Sequence, residues 1–271
     1  MNARDFLTNV FIIFAVMAAG ALVELAVPLF AAPASQRERR TANVGLTMLG
    51  LLVNWLLVSC AAVLSLWLQP SSLGAMLGIP RVIQIVAGVV LLDFFTGYVA
   101  HRTMHMLPGL WRAHKIHHSD SFVDVTTFLR MHPIELLWRY AFVLVSVLIF
   151  GIPAEAVIIQ RLLQVTNGIL EHANVRLPRR IEGVLSLVWV TPNVHKVHHS
   201  RVSEETNSNY GNLLSVYDRL LGTFLPPARA ETVVYGLDET DDTQASTVRG
   251  LLWMPFQRPD TKVRVRAYQG R

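Results

Sequence analysis

The sequence predicts an all-α, polytopic membrane bundle of four to five spanning segments, capped on one side by a histidine-rich helical layer. Three observations predict it. Hydrophobic residues make up 52% and charged residues only 16% of the 271, against roughly a quarter charged in soluble domains; the mean hydropathy is +0.39. Several apolar runs each reach the roughly 20 residues that cross a bilayer core. All 10 histidines fall between His101 and His199, at or beyond the ends of those runs.

The first run, Leu7 to Ala32, carries one charge, Glu24. It is too long for the apolar region of a signal peptide, so it is expected to be a spanning helix. A second run, Val44 to Leu68, carries no charge. The third extends from about Val82 to Ala100 with Asp93 inside it, and the fourth from about Ile134 to Phe150. After the Gly151, Ile152, Pro153 turn comes Ala154 to Glu171, with Gln160, Arg161, Gln164 and Asn167. That fifth segment is either a polar-faced helix packed inside the bundle or half of a re-entrant hairpin. Both options return the chain to the same side.

The loop charges set an expected orientation. Arg37, Arg39 and Arg40 sit between the first two helices, whereas the loop from Gln69 to Pro80 is uncharged. By the positive-inside rule the first loop is cytoplasmic. Counting crossings then puts residues 101–133 and 172–271 in the cytoplasm as well. The expected organisation is an N-terminal transmembrane hairpin over residues 1–80, a catalytic domain over 81–227 and a cytoplasmic tail over 228–271. That tail holds the acidic stretch from Asp238 to Asp242, an interfacial apolar run from Leu251 to Phe256, and a basic end with Lys262, Arg264, Arg266 and Arg271.

Net charge is +5 and the isoelectric point is near 9.7. The positive residues are spread through loops and the tail, which points to anionic lipid headgroups and away from nucleic acid. Cys60 is the sole cysteine, which excludes an intrachain disulfide and a cysteine-based zinc or iron–sulfur site.

Eight histidines form three boxes: His101 with His105; His114 with His117 and His118; His195 with His198 and His199. Residues three or four apart on a helix share a face and can aim imidazoles at one point. Each His-x-x-His-His box is therefore read as a three-nitrogen fan. Neutral imidazole suits iron, zinc, copper and nickel, and this many nitrogens exceed one four-coordinate structural zinc. Eight to ten ligands suit two six-coordinate ions with positions left open. A rival reading is a membrane metal-handling or transport protein with histidines lining a path. Transporters hold ionisable ligands near the bilayer midplane, however, and these histidines lie at helix ends.

Single residues near the boxes have two readings each. His132, just before Pro133, is a ligand or a helix cap. His172 ends the fifth segment and is read as a ligand, with Asn174 beside it. Asp93 is an acceptor for the N–H of a ligand imidazole, or else a member of an ion pair inside the bundle. Glu135 and Glu171 share those alternatives. Trp138, Tyr140 and Trp189 read as interfacial or core aromatics.

Taken with His132 to Glu135, with Asn209, Tyr210 and Gly211, and with Tyr217 to Phe224, the boxes resemble those of the fatty acid hydroxylase superfamily. That superfamily includes sterol desaturases and sphingolipid hydroxylases. The match covers roughly Asp93 to Phe224. The resemblance implies a non-haem centre of two iron ions on the cytoplasmic side, which uses O2 to hydroxylate or desaturate a fatty acyl, sterol or sphingolipid-like C–H bond. Electrons are implied to come from a separate carrier, a cytochrome b5-like protein or a ferredoxin and its reductase. By the same resemblance the eight box histidines are ligands, and His132 and His172 match the extra histidines of many members. Asn209, Tyr210 and Asp218 are expected to support the site without binding metal. Zinc is expected to substitute for iron on overexpression.

Overall fold

The computed structural model describes residues 3–68, 73–238 and 242–257. Among them the chain is helical apart from turns and two isolated β-bridges, Pro28 with Val175 and Trp189 with Leu214. Four helices are long and apolar enough to cross a membrane, and the chain is an integral membrane protein. They are α1 (Ala3–Ala26), α2 (Arg37–Leu68), α3 (Arg81–Met106) and, after the short α4 (Pro108–His118), α5 (Pro133–Phe150). Their outer faces carry exposed Phe11, Leu25, Leu52, Trp67, Val82, Val86, Leu148 and Ile149, a surface that lipid solvates.

Helix α1 stops at Ala26, short of the expected Ala32, because Pro28 disfavours helical backbone at the residue before it and supplies no N–H. Helix α2 starts earlier than its apolar run. Arg37, Arg39 and Arg40 open its first turns and do not lie in a loop. Arg39 is buried and paired with Asp120 at 3.0 Å and with Asp124, so part of the charge that set the orientation is spent on an internal contact.

Helix α3 changes winding over Asp93–Val99, where the backbone is π-helical, before it continues into the turn that carries His101 and His105. Insertions of this kind re-aim the residues that follow them. Gly151 ends α5 in the left-handed conformation (φ 61°), donating its N–H to Val147 O. The next helix, α6 (Ala154–His172), runs unbroken for 19 residues, so the fifth segment is the polar-faced helix of the two alternatives. It buries Gln160, Arg161, Gln164 and Asn167 inside the bundle.

Apolar packing joins α2, α3, α5 and α6 through Val58, Ala61, Leu92, Tyr140, Val143 and Val157. A second cluster joins α1, α2 and α6 to the loop after α4 through Ile13, Met17, Leu51, Phe128 and Ile169. Arg39 on Asp120 and Phe30 N on Asn174 Oδ1 (3.0 Å) tie the first link, the 119–132 loop and the end of α6 to one face of the bundle.

Four of the shorter helices build the cap on that face: α7 (Arg179–Leu185), α8 (Pro192–His198), α9 (Val216–Leu220) and α10 (Val248–Trp253). Leu251 and Met254 pack with Ala42, Leu46 and Ile116. Fully buried Arg130 donates to Asn43 Oδ1, Ser119 Oγ and Ala245 O, which fastens the 242–257 segment onto the cap. Trp253 and Phe256 stay exposed. Glu239 to Asp241 and the basic residues from Lys262 to Arg271 lie outside the described residues.

Candidate metal centre

Short helices that start on proline deliver the two His-x-x-His-His boxes. Pro108 begins α4 and Pro192 begins α8, each a place where the missing N–H costs nothing. Thr191 caps α8 by accepting from Val194 N at 3.3 Å. Each helix ends in its histidines.

Nine histidines converge in two groups. The first holds His101, His105, His114, His118 and His198; the second holds His117, His172, His195 and His199, with the ligand atoms of each group within 4.8 Å of one another. Each His-x-x-His-His box is therefore divided between the groups and does not fan onto one point. His114 and His118 serve the first while His117 serves the second; His195 and His199 serve the second while His198 serves the first. Neighbouring residues of an α-helix point roughly 100° apart, so the i and i+4 residues stay together and the i+3 residue faces elsewhere. The groups share a wall, with the His118 and His199 rings stacked at 4.7 Å and the His195 and His198 rings 5.2 Å apart.

Backbone and carboxylate partners fix which ring nitrogen is bare in His101, His114, His172 and His198. Nδ1 of His101 lies 2.7 Å from Tyr210 O, that of His198 2.7 Å from Ser208 O, and that of His172 2.6 Å from Gly168 O. Nδ1 of His114 lies 3.0 Å from Glu135 Oε2. These oxygens only accept, so each Nδ1 carries the hydrogen and each Nε2 presents a lone pair. Yet the bare nitrogens face each other. His101 Nε2 is 3.0 Å from His114 Nε2 and 3.1 Å from His198 Nε2. His172 Nε2 is 3.0 Å from the Nε2 atoms of His117, His195 and His199. In the first group, where the Nδ1 partners leave Nε2 of His101, His114 and His198 all bare, lone pairs converging at that separation repel unless a cation lies between them; the second group repeats the spacing around His172 Nε2. Nitrogens held about 2.1 Å from one ion at right angles stand roughly 3 Å apart, so the donor sets fit one metal ion each.

Burial and the surrounding imidazoles push His117, His118, His195 and His199 well below the ordinary histidine value, and His198 down to about 3. Neutral imidazole is the metal-binding form.

Around the rings lies a shell of buried polar groups. Arg139 Nε donates to Glu135 Oε1 at 3.1 Å, and its Nη1 donates to Thr96 O. Asp218 accepts from Tyr210 N and Gly211 N at 2.8 Å each and from Thr223 Oγ1 at 2.7 Å, which aims the Tyr210 carbonyl at His101. Burial raises the Asp218 carboxyl to about 6. Asn209, at φ 49°, bonds Val194 O and Leu225 O and so ties α8 to the strap after α9. Asn174 bonds Phe30 N and O. Glu171 accepts from Asn212 Nδ2 at 2.9 Å and lies 3.9 Å from His195 Nε2.

Two of the sequence-predicted residues lie elsewhere. His132 belongs to neither group. Its Nδ1 accepts from Ile134 N at 3.1 Å as the cap of α5, and its Nε2 lies 3.3 Å from Leu252 O. Asp93 meets no imidazole among the described contacts; Oδ1 accepts from Leu213 N at 3.3 Å. The acceptor role for an imidazole N–H is filled by Glu135, on His114. Sequence reasoning did not single out Arg139 or Lys196. Arg139 follows Glu135 by four residues in an apolar helix, a readable ion-pair signal. Lys196 is fully buried and donates to Ala173 O; burial lowers it to about 7, and nothing in the pattern marked it.

A family model described as fatty acid hydroxylase matches residues 85–223, the span that contains all nine converging histidines. The chain is 35% identical over 158 residues to an ornithine lipid hydroxylase, OlsE, of Rhizobium tropici, covering 58% of this chain and 46% of that protein. It is 31% identical over 140 residues to an alkylglycerol monooxygenase of Danio rerio (52% and 30%), and 27% identical over 162 residues to a cholesterol 25-hydroxylase-like protein of Danio rerio (58% and 62%). These matches span less than half the length of the first two relatives. No solved structure matches the chain.

Proposed function

The chain belongs to the fatty acid hydroxylase family, and from that premise we propose that it is a membrane-bound di-iron oxygenase that hydroxylates a lipid C–H bond with O2 and electrons from a separate carrier. The observation that carries this reading is the pair of imidazole groups whose Nε2 atoms converge at about 3 Å spacing. All three relatives above carry names of lipid hydroxylases or monooxygenases. Two iron ions held there supply the O2 activation and electron transfer that imidazole alone cannot.

This chain's residues would do the rest. His101, His105, His114, His118 and His198 hold one ion, and His117, His172, His195 and His199 the other. Glu135 and the carbonyls of Tyr210, Ser208 and Gly168 keep His114, His101, His198 and His172 in the tautomer that leaves Nε2 free. Arg139 neutralises the buried Glu135. Eight of the nine converging histidines are buried, which would limit the access of bulk water to the reacting carbon. Residues 81–227 form the catalytic unit, behind the hairpin of 1–80. The cap lies on the cytoplasmic side, where soluble electron carriers reach it, and a lipid enters from the bilayer. Among the described residues the imidazoles close on each other and line no path through the bundle, which favours an oxygenase over a transporter.

The test is oxygen labelling. Membranes expressing the protein under 18O2 are expected to gain a lipid two mass units heavier than its 16O counterpart, absent with His101→Ala. Hydroxyl oxygen drawn only from water would refute the reading, and a lipid that loses two hydrogens without gaining oxygen would convert it to desaturation.

A further inference from the structure

Outside the histidine cap, one charged side chain is buried in the bundle without an acid to balance it. Arg161, on α6, is 6% exposed. Its Nη1 donates to Gln164 Oε1, its Nη2 donates to Asn54 Oδ1 at 3.0 Å, and its guanidinium carbon lies 4.9 Å from the Tyr140 ring centroid. Nε is buried and has no hydrogen-bond partner. Among the described residues no carboxylate lies within ion-pair distance of it; Glu135, on α5, is engaged by Arg139 and His114. A guanidinium stays charged under all ordinary conditions, so its positive charge persists in an apolar interior.

Arg161 also faces space. A cavity of about 80 Å³ lies between α1, α2 and α6, walled by Val10, Ile13, Leu51, Asn54 and Leu162 with Arg161. A smaller cavity of about 20 Å³ shares Leu51, Asn54 and Arg161 with it and reaches Phe128. The Phe128 ring fills the gap that Gly168 leaves on α6 and stands 5.6 Å from the His172 ring. The two cavities therefore adjoin at Leu51, Asn54 and Arg161, and Phe128 separates the smaller one from His172 of the second histidine group. Arg161 precedes His172 by 11 positions on α6, roughly 16 Å along the axis.

We propose that Arg161, with Asn54 beside it, binds the oxyanion of a lipid, a carboxylate or a phosphate, and thereby fixes which carbon of the chain reaches the histidines. This rests on the lipid-oxygenase reading and names a chemical feature of its substrate. The fork of donors on Arg161 matches an oxyanion's geometry, with Nε the free point of attachment. A cavity of about 80 Å³ holds a small oxyanion but not a lipid headgroup of several such groups, since one water takes roughly 30 Å³. Held there, the polar end lies one bilayer leaflet from the histidines, and a carbon well along the chain is the one presented.

The experiment is equilibrium binding to the purified full chain in phosphatidylcholine nanodiscs, with oleate, oleyl phosphate and methyl oleate as probes. At least one of the two anionic probes is expected to bind saturably and ten-fold or more tighter than the ester; which one does so separates a carboxylate from a phosphate source. Arg161→Gln should remove that preference, and Arg161→Lys should restore part of it. Asn54→Ala, which leaves the charge in place, should weaken it several-fold and serves if Arg161→Gln does not insert. Equal binding of anions and ester, or a preference that survives Arg161→Gln, overturns the proposal. Binding is read without turnover, so its failure leaves the oxygenase reading standing. A protein that binds the anions but hydroxylates no lipid refutes that reading alone.

Discussion

His114 Nδ1 lies 3.0 Å from Glu135 Oε2, with both side chains fully buried. Because the other oxygen of Glu135 is held by Arg139, one carboxylate on a membrane helix sets the tautomer of a cap imidazole and balances a buried guanidinium. Glu135→Gln is expected to lower metal affinity about 10- to 100-fold, the usual effect of losing such a partner. Glu135→Ala should also leave Arg139 uncompensated, at a cost of roughly 3–5 kcal/mol in stability. Chelator competition and thermal unfolding read the two effects; unchanged metal retention in both variants would contradict this role.

Asp218 touches no histidine, yet it holds Tyr210 N and Gly211 N and so the carbonyl that orients His101. Asp218→Ala is expected to speed metal loss to a chelator while membrane insertion stays normal. Asp218→Asn, which keeps one acceptor oxygen, should fall between it and the unsubstituted protein.

The lone histidines separate cleanly. His172 meets three imidazoles of its group, so His172→Ala should abolish activity and reduce bound metal. His132 caps α5, so His132→Ala should keep its full metal content and lose roughly 1 kcal/mol of stability, as cap removals do. A loss of metal in His132→Ala would place that residue in the centre after all.

Acid should dissociate the site in a defined window. His117, His118, His195 and His199 sit below the ordinary value of 6.5, and His198 at about 3. In the unfolded chain they take up protons near pH 6.5, so the unfolded state binds more protons between those limits. Stability is therefore full above pH 6.5 and falls as pH drops toward 3, by up to about 1.4 kcal/mol per pH unit for each such histidine. Protons also compete with metal for Nε2. The melting temperature with added metal should hold above pH 6.5 and decline from there to pH 5; a flat profile would show that these imidazoles are not held neutral.

The spanning helices were legible because each apolar run exceeds bilayer thickness, and the boxes because histidines three and four apart are rare. Helix ends were less so. Nothing in the apolar count of Val44 to Leu68 shows that α2 begins at Arg37, since that turn is held by Asp120 and Asp124 from 80 residues away. Spacing also grouped His114, His117 and His118 without saying that they face two centres, because that depends on where α8 and α6 bring His198 and His172. The tautomer-setting carbonyls of Tyr210, Ser208 and Gly168 carry no residue-type signal at all. Asp93 and Glu135 looked alike as membrane carboxylates; only the packing of α3 against α5 distinguishes them.

The most direct measurement is elemental analysis of tag-free protein expressed with added iron, paired with oxygen consumption in the presence of lipid and an electron donor. Ten histidines, nine of them in two groups, predict close to two metal ions per chain, with turnover only when those ions are iron. A zinc-loaded preparation should bind metal to the same level and stay inactive, since zinc has no redox chemistry. One metal ion per chain, or lipid turnover that continues without oxygen, would contradict the account.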